Sequence, residues 1–68
     1  MREYTITLYY TYRNEEIVRK FVNDLKGVFD PTGSGYGFFV KVTGSNDDYV
    51  LAMNLWKQNY ITAFEIGA

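Results

Sequence analysis

The fold of this chain is decided by residues 45–58, SNDDYVLAMNLWKQ. Ser45 with Asp48 three residues later is typical of a capping box at the start of a helix. Alanine, methionine, leucine and glutamine favour helix over strand, and the apolar side chains of this stretch fall on one broad face of a helical wheel. The alternative is a strand from Tyr49 to Trp56, joined to the last segment by a turn. We favour the helix, ended by Asn59.

The first half of the chain predicts one strand and one helix. Residues 3–12 alternate apolar and polar side chains with a period of two, which is typical of a half-buried strand. Residues 15–26 carry apolar side chains along one arc of a helical wheel, with Asn14 in place as N-cap. We expect Gly27 to be the C-cap and Val28 to fold back onto the last turn.

Three further strands, one of them very short, and a turn are predicted in the remaining segments. Residues 36–43 are apolar on both faces except at Lys41, which favours a central strand. The stretch 31–35, PTGSG, is a strong turn signal. Residues 28–30 would pair across it as a very short edge strand, and residues 60–66 form the last strand.

The resulting order, β-α-(β)-β-α-β, predicts a single α+β domain over residues 1–68. It is a two-layer sandwich and, if the short edge strand pairs, a minimal ferredoxin-like split βαβ fold. If residues 49–56 are a strand, the order becomes β-α-β-β-β, with one helix on an antiparallel meander. Both arrangements leave one face of the sheet open.

Composition narrows the possible functions. The chain has no cysteine and no histidine, so thiol nucleophiles, disulfides and the commonest general base are excluded. We therefore expect no enzyme, no catalytic residues, no cofactor and no metal site. Seven Lys and Arg against eight Asp and Glu leave a net charge of −1, which argues against nucleic-acid binding driven by bulk charge. No apolar run is long enough to cross a bilayer, so we expect a cytoplasmic protein without membrane contact.

Aromatic residues point to a protein-binding surface. They make up 19% of the chain, more than so small a core can easily bury, and exposed aromatic clusters often mark interfaces. The threonines of the first strand and Tyr9 would share the open face with Phe39 and Lys41. We expect a non-enzymatic module that binds a protein partner and forms a homodimer, such as an inhibitor of the kind phages and mobile elements encode. The residues predicted to contact the partner are Tyr9, Tyr12, Phe39, Lys41 and Tyr60, while Tyr10 and Phe38 are assigned to the core.

The alternative function is binding of single-stranded nucleic acid. Residues 35–39, GYGFF, resemble part of the RNP1 pattern of RNA-recognition motifs. Ser34 stands where that pattern has a basic residue, and Lys41 where it has a final aromatic. The resemblance covers five residues and assigns no family. It implies that bases would stack on the aromatic side chains Tyr9, Tyr36 and Phe38.

Overall fold

The chain folds as a two-layer α+β sandwich in a computed structural model that describes residues 3–34 and 37–67. In chain order the elements are β1 (Tyr4–Tyr10), a 3-10 turn (Tyr12–Asn14), α1 (Glu15–Asp24), β2 (Thr32–Ser34), β3 (Gly37–Gly44), α2 (Asn46–Lys57) and β4 (Ala63–Gly67). The helix over residues 45–58 is confirmed, and the alternative strand over residues 49–56 is wrong.

The sheet is antiparallel throughout, in the order β2-β3-β1-β4. The first strand is therefore an inner strand, and it pairs with β3 on one side and β4 on the other. Leu8 lies opposite Val40 of β3 and Phe64 of β4. Because directly opposed residues point to the same side of an antiparallel sheet, these three apolar side chains share one face.

The core lies between that face of the sheet and the two helices. β1 contributes Ile6, Leu8 and Tyr10, all buried, and the helices add Val18 and Val22 from α1 and Ala52 from α2. The opposite face of the sheet receives none of these helix side chains. The alternation predicted for residues 3–12 therefore separates a packed face from an open one over β1, although the strand ends at Tyr10, two residues earlier than predicted. Tyr12 lies beyond the end of β1, in the 3-10 turn.

The end of α1 differs from the prediction. Lys26, and not Gly27, adopts the left-handed backbone conformation, with φ of 59°. The Lys26 amide donates to the Asn23 carbonyl and the Gly27 amide donates to the Val22 carbonyl, both at 2.9 Å, which is a Schellman closure. Gly27 is needed for space, since a Cβ there would lie 2.7 Å from Cγ2 of Val42.

Of the two flanking predictions at α1, the one for Val28 is wrong, and the one for Asn14 is confirmed for its position only. Val28 does not fold back on the last turn, because 80% of its surface is exposed. Asn14 occupies the N-cap position, but its side chain makes no capping hydrogen bond. Instead, the Asn14 amide donates to the Thr11 carbonyl at 3.0 Å. The 3-10 turn thus supplies the local bonding at this end of the helix.

The edge strand lies at residues 32–34 and not at residues 28–30. It pairs antiparallel with β3, with Gly33 opposite Phe38. Gly33 has φ of 133°, and a Cβ there would lie 2.3 Å from the Gly37 carbonyl oxygen, so only glycine fits. Phe29, from the predicted strand, instead packs its ring on Tyr10 with 6.2 Å between ring centroids.

Both ends of α2 agree with the sequence. The Ser45 amide donates to Oδ2 of Asp48 at 2.8 Å, and the Asp48 amide donates to Oγ of Ser45 at 3.4 Å, which completes the capping box. Asn59 ends the helix with φ of 66°. The last strand starts later than predicted, at Ala63, because Ile61 turns into the core, where it is buried.

Candidate protein-interaction surface

The candidate site is the face of the sheet turned away from the helices, which we call the open face. Strand register assigns its side chains, since each of them is paired with another that points to the same side. The open face consists of Thr5, Thr7 and Tyr9 of β1, Thr32 and Ser34 of β2, Phe39, Lys41 and Thr43 of β3, and Ala63 and Glu65 of β4.

The open face is organised in rows that run across the three strands β3, β1 and β4. Thr5, Thr7 and Tyr9 of β1 are each paired on both sides, so the two partners of each stand level with it. In the order β3, β1, β4 the rows are Phe39–Tyr9–Ala63, Lys41–Thr7–Glu65 and Thr43–Thr5–Gly67. The first row carries the aromatic side chains and the second carries one cation and one anion.

Tyr9 is held in place from two sides. Its ring packs against Phe39 with 5.8 Å between centroids and an interplanar angle of 42°. Its hydroxyl donates to Oε1 of Glu65 at 2.5 Å. The hydrogen bond to Glu65 raises the pKa of Tyr9, and desolvation and the negative charge of Glu65 raise it further. The ring is therefore oriented by two contacts within its own sheet, and orientation of a side chain before binding lowers the entropy cost of contact.

Thr7, at the centre of the open face, is largely shielded from water. Only 8% of its surface is exposed, although no helix packs on this side. Its row neighbours Lys41 and Glu65 stand on either side of it. Long charged side chains cover apolar surface with their methylene stems. The middle of the face is thus already partly desolvated.

The five predicted contact residues fall into two groups. Tyr9, Phe39 and Lys41 come together on the open face, as expected. Tyr12 and Tyr60 instead line a groove formed by the 3-10 turn and the segment after α2. Tyr12 is 71% exposed, and Tyr60 lies at the border between half-buried and exposed.

Thr62 connects this groove to the open face. Its amide and its Oγ1 both donate to the Tyr9 carbonyl, at 2.7 and 3.0 Å, and it also lines the groove with Tyr12 and Tyr60. The two groups of residues are therefore neighbours at one end of β1. They do not form one continuous aromatic face.

The residues of the nucleic-acid alternative do not share a surface. Phe38 points to the helix side, where its ring stacks on buried Tyr10 with 5.8 Å between centroids and an angle of 27°. Tyr9 points to the other side of the sheet. Tyr9 and Phe38, two of the side chains on which bases would stack, therefore lie on opposite sides of the sheet. The core assignment of Phe38 and Tyr10 agrees with the structure. Tyr36 lies outside the described residues.

The sequence interpretation missed Glu65 and Ala63. It left the register of the last strand open, and the signal was present in the strand itself. Phe64 and Ile66 alternate with Ala63 and Glu65. Had the two large apolar residues been assigned to the core, the other two would have followed onto the open face.

The described part of the chain contains no cluster of three or more metal-ligating side chains. Within residues 3–34 and 37–67, neither helix is long and apolar enough to cross a membrane. No protein-family model matches the chain, and neither a search of curated proteins nor one of solved structures finds a match. The functional argument therefore depends on the geometry of the surface.

Proposed function

We propose that this protein is a small non-enzymatic module that binds another protein through the open face. The observation that carries this proposal is the state of Tyr9, which is fixed by Phe39 and Glu65 on a side of the sheet that no helix covers. Fixed tyrosines contribute large contact areas at low entropy cost, which is why interfaces are rich in them.

The proposed action is steric. The central threonine of the open face is already shielded from water, so docking would mainly desolvate the row of Tyr9 and Phe39 and the row of Lys41 and Glu65, whose charges the partner would have to pair. By occupying a surface of its partner, a domain of this size would act as an inhibitor or adaptor of a larger protein, of the kind phages and mobile elements encode. No chemical step is required of its side chains.

The test is capture of partner proteins from a cell lysate by the immobilised wild type and by two truncation variants. Tyr9→Ala removes the central ring of the open face. Val50→Ala is the matched control, because Val50 is an exposed apolar residue on α2 and lies away from the sheet. We expect proteins that the wild type and Val50→Ala retain to be lost with Tyr9→Ala. Circular dichroism shows whether all three proteins are folded.

Two results would contradict the proposal. In the first, Tyr9→Ala remains folded and retains the same proteins as the wild type. In the second, the retained material is single-stranded RNA or DNA and its binding weakens steeply with rising salt, as nucleic-acid binding does. That second result would favour the nucleic-acid alternative, despite the placement of Phe38 on the helix side.

A further inference from the structure

We infer that the open face binds a second copy of this chain, across a two-fold axis that runs along β1. This inference rests on the proposed function, because the second copy would occupy the same open face, in competition with a larger partner. It is drawn from the rows across β3, β1 and β4. In each row, the residue on β3 is complementary in charge or in size to the residue on β4.

The symmetry determines which residues meet. A two-fold axis between two stacked sheets, directed along β1, lays β3 of one protomer over β4 of its partner. Contacts across such an axis are reciprocal. Since the rows run straight across the strands, each β3 residue meets the β4 residue of the same row on the other protomer.

The charged row becomes self-complementary in this arrangement. Lys41 faces the partner's Glu65, and Glu65 faces the partner's Lys41, so the dimer gains a reciprocal set of ion pairs. Glu65 uses Oε1 to accept from Tyr9 and still has its second oxygen to offer. In the described part of the chain the one ion pair is Arg19 with Glu15 on α1, so Lys41 has no competing carboxylate partner there.

The other two rows are complementary in size. Phe39 faces the partner's Ala63, and Thr43 faces the partner's Gly67. A bulky side chain thus meets a small one in each row, which allows two layers to interdigitate without voids. Tyr9, on the central strand, lies beside the axis and meets its own copy.

A two-fold axis across the strands is disfavoured. It would place Lys41 over the partner's Lys41 and Glu65 over the partner's Glu65. Facing like charges cost binding energy and select against an orientation. The axis along β1 also keeps the strands of the two sheets close to parallel, as in aligned sheet packing, where they differ by about 30°.

The dimer is expected to be weak. Strands of seven and eight residues at about 3.3 Å per residue, spaced about 4.8 Å apart, form a small patch. Such a patch is smaller than the roughly 800 Å² per partner of a standard interface. We expect a dissociation constant on the order of 1–100 μM, so association must be measured up to millimolar concentration.

The inference is tested by exchanging the charges at Lys41 and Glu65. Dimerisation is measured by sedimentation equilibrium at protein concentrations from about 1 μM to 1 mM, a range set by the expected dissociation constant. The proteins are the wild type, Lys41→Glu, Glu65→Lys, an equimolar mixture of these two variants, and the double variant carrying both substitutions. We expect each single variant to dimerise at least about tenfold more weakly than the wild type. The mixture and the double variant should regain dimerisation, because both restore opposite charges across the axis.

The controls separate charge from local damage. Glu65→Lys also removes the acceptor of the Tyr9 hydroxyl, and recovery in the mixture shows that the loss was electrostatic. Lys20→Glu makes the same charge change at an exposed position of α1 and should leave dimerisation unchanged. Dimerisation that is insensitive to both single substitutions would overturn the axis along β1.

A wild type that stays monomeric at 1 mM, a ceiling about tenfold above the expected range, would overturn the inference as a whole. The proposed function would survive that result if Tyr9→Ala still abolished capture of another protein. It would fail as well if capture did not depend on Tyr9. The two failures are therefore distinguishable.

Discussion

The hydroxyl of Tyr9 and the carboxylate of Glu65 join the central strand to the last strand diagonally across the open face, with 2.5 Å between Oη and Oε1. Tyr9 is level with Ala63, whereas Glu65 is level with Thr7. The hydrogen bond therefore crosses from one row to the next. It orients both the Tyr9 ring, which would meet a partner, and the Glu65 carboxylate, which is expected to meet the partner's Lys41.

The Tyr9–Glu65 bond should be visible in an alkaline titration. The pKa of Tyr9 is raised above its ordinary value of 10.0, first by the hydrogen bond to Glu65. A raised pKa means that the folded state favours the protonated phenol. The contribution of this hydrogen bond to the stability of the folded state is therefore present below pH 10 and is lost as the pH rises through the raised pKa of Tyr9.

The measurement is ultraviolet absorbance of tyrosinate in the wild type, Tyr9→Phe and Glu65→Gln. We expect Tyr9→Phe to remove a late-ionising tyrosine and Glu65→Gln to move that ionisation back toward its ordinary range. Tyr10 also ionises late, because burial raises its pKa and Glu15 adds to the shift while Arg19 opposes it. An unchanged late phase in both variants would contradict the bond.

Tyr10→Phe should leave the free energy of unfolding unchanged or raise it. The Tyr10 hydroxyl is buried and has no hydrogen-bond partner among the described residues, and an unsatisfied buried polar group costs about 1–3 kcal/mol. Urea unfolding measures the effect, with Tyr10→Ala as the contrast, since loss of the buried ring should cost about 3–5 kcal/mol. A loss of more than about 1 kcal/mol in Tyr10→Phe would mean that the hydroxyl is bonded.

Gly33→Ala should disrupt the pairing of the edge strand β2, whereas Gly37→Ala should be mild. A Cβ at Gly33 collides with the Gly37 carbonyl at a backbone φ of 133°, but a Cβ at Gly37 meets nothing within 4 Å. Strain of this kind costs about 1–3 kcal/mol. Hydrogen exchange of the β2 and β3 amides should rise in Gly33→Ala, and equal exchange in the two variants would contradict the strand assignment.

Ser45→Ala should destabilise the protein by about 1 kcal/mol, because the side chain and amide of Ser45 form the capping box with Asp48. Asn46→Ala is the matched control, since Asn46 is exposed in the first turn and takes no part in the box. Thermal unfolding should shift down in Ser45→Ala alone. A similar shift in both variants would assign the effect to helix propensity instead.

Local signals predicted much of this fold. The spacing of Ser45 and Asp48 and the residues that follow predicted α2, because a capping box needs only neighbours within one helical turn. The alternation of residues 3–10 predicted the packed and open faces of β1, since the side-chain period of a strand is two. These interactions lie within a few residues of each other, so they can be identified from the chain.

The composition of the open face depends on pairing between distant segments. Tyr9 meets Phe39 and Glu65 only because β1 pairs with β3 on one side and β4 on the other. Strand register is set by how the whole core packs, and a slip of one residue would exchange the two faces. The edge strand is a different case, because Thr32–Ser34 pairs with residues 37–39 only a few positions along the chain, and its residues lie within the stretch 31–35 that was interpreted as a turn.

Chain composition and short-range periodicity were enough to establish the absence of thiol and imidazole chemistry and to indicate the kinds of elements, with residues 49–56 left between helix and strand, since each depends on residue identity or on neighbours in sequence. The grouping of Tyr9, Phe39, Lys41 and Glu65, and the separation of Tyr12 and Tyr60 from them, arise from folding. Side chains more than fifty residues apart, such as Tyr9 and Glu65, are brought together by long-range strand pairing, which no local pattern encodes.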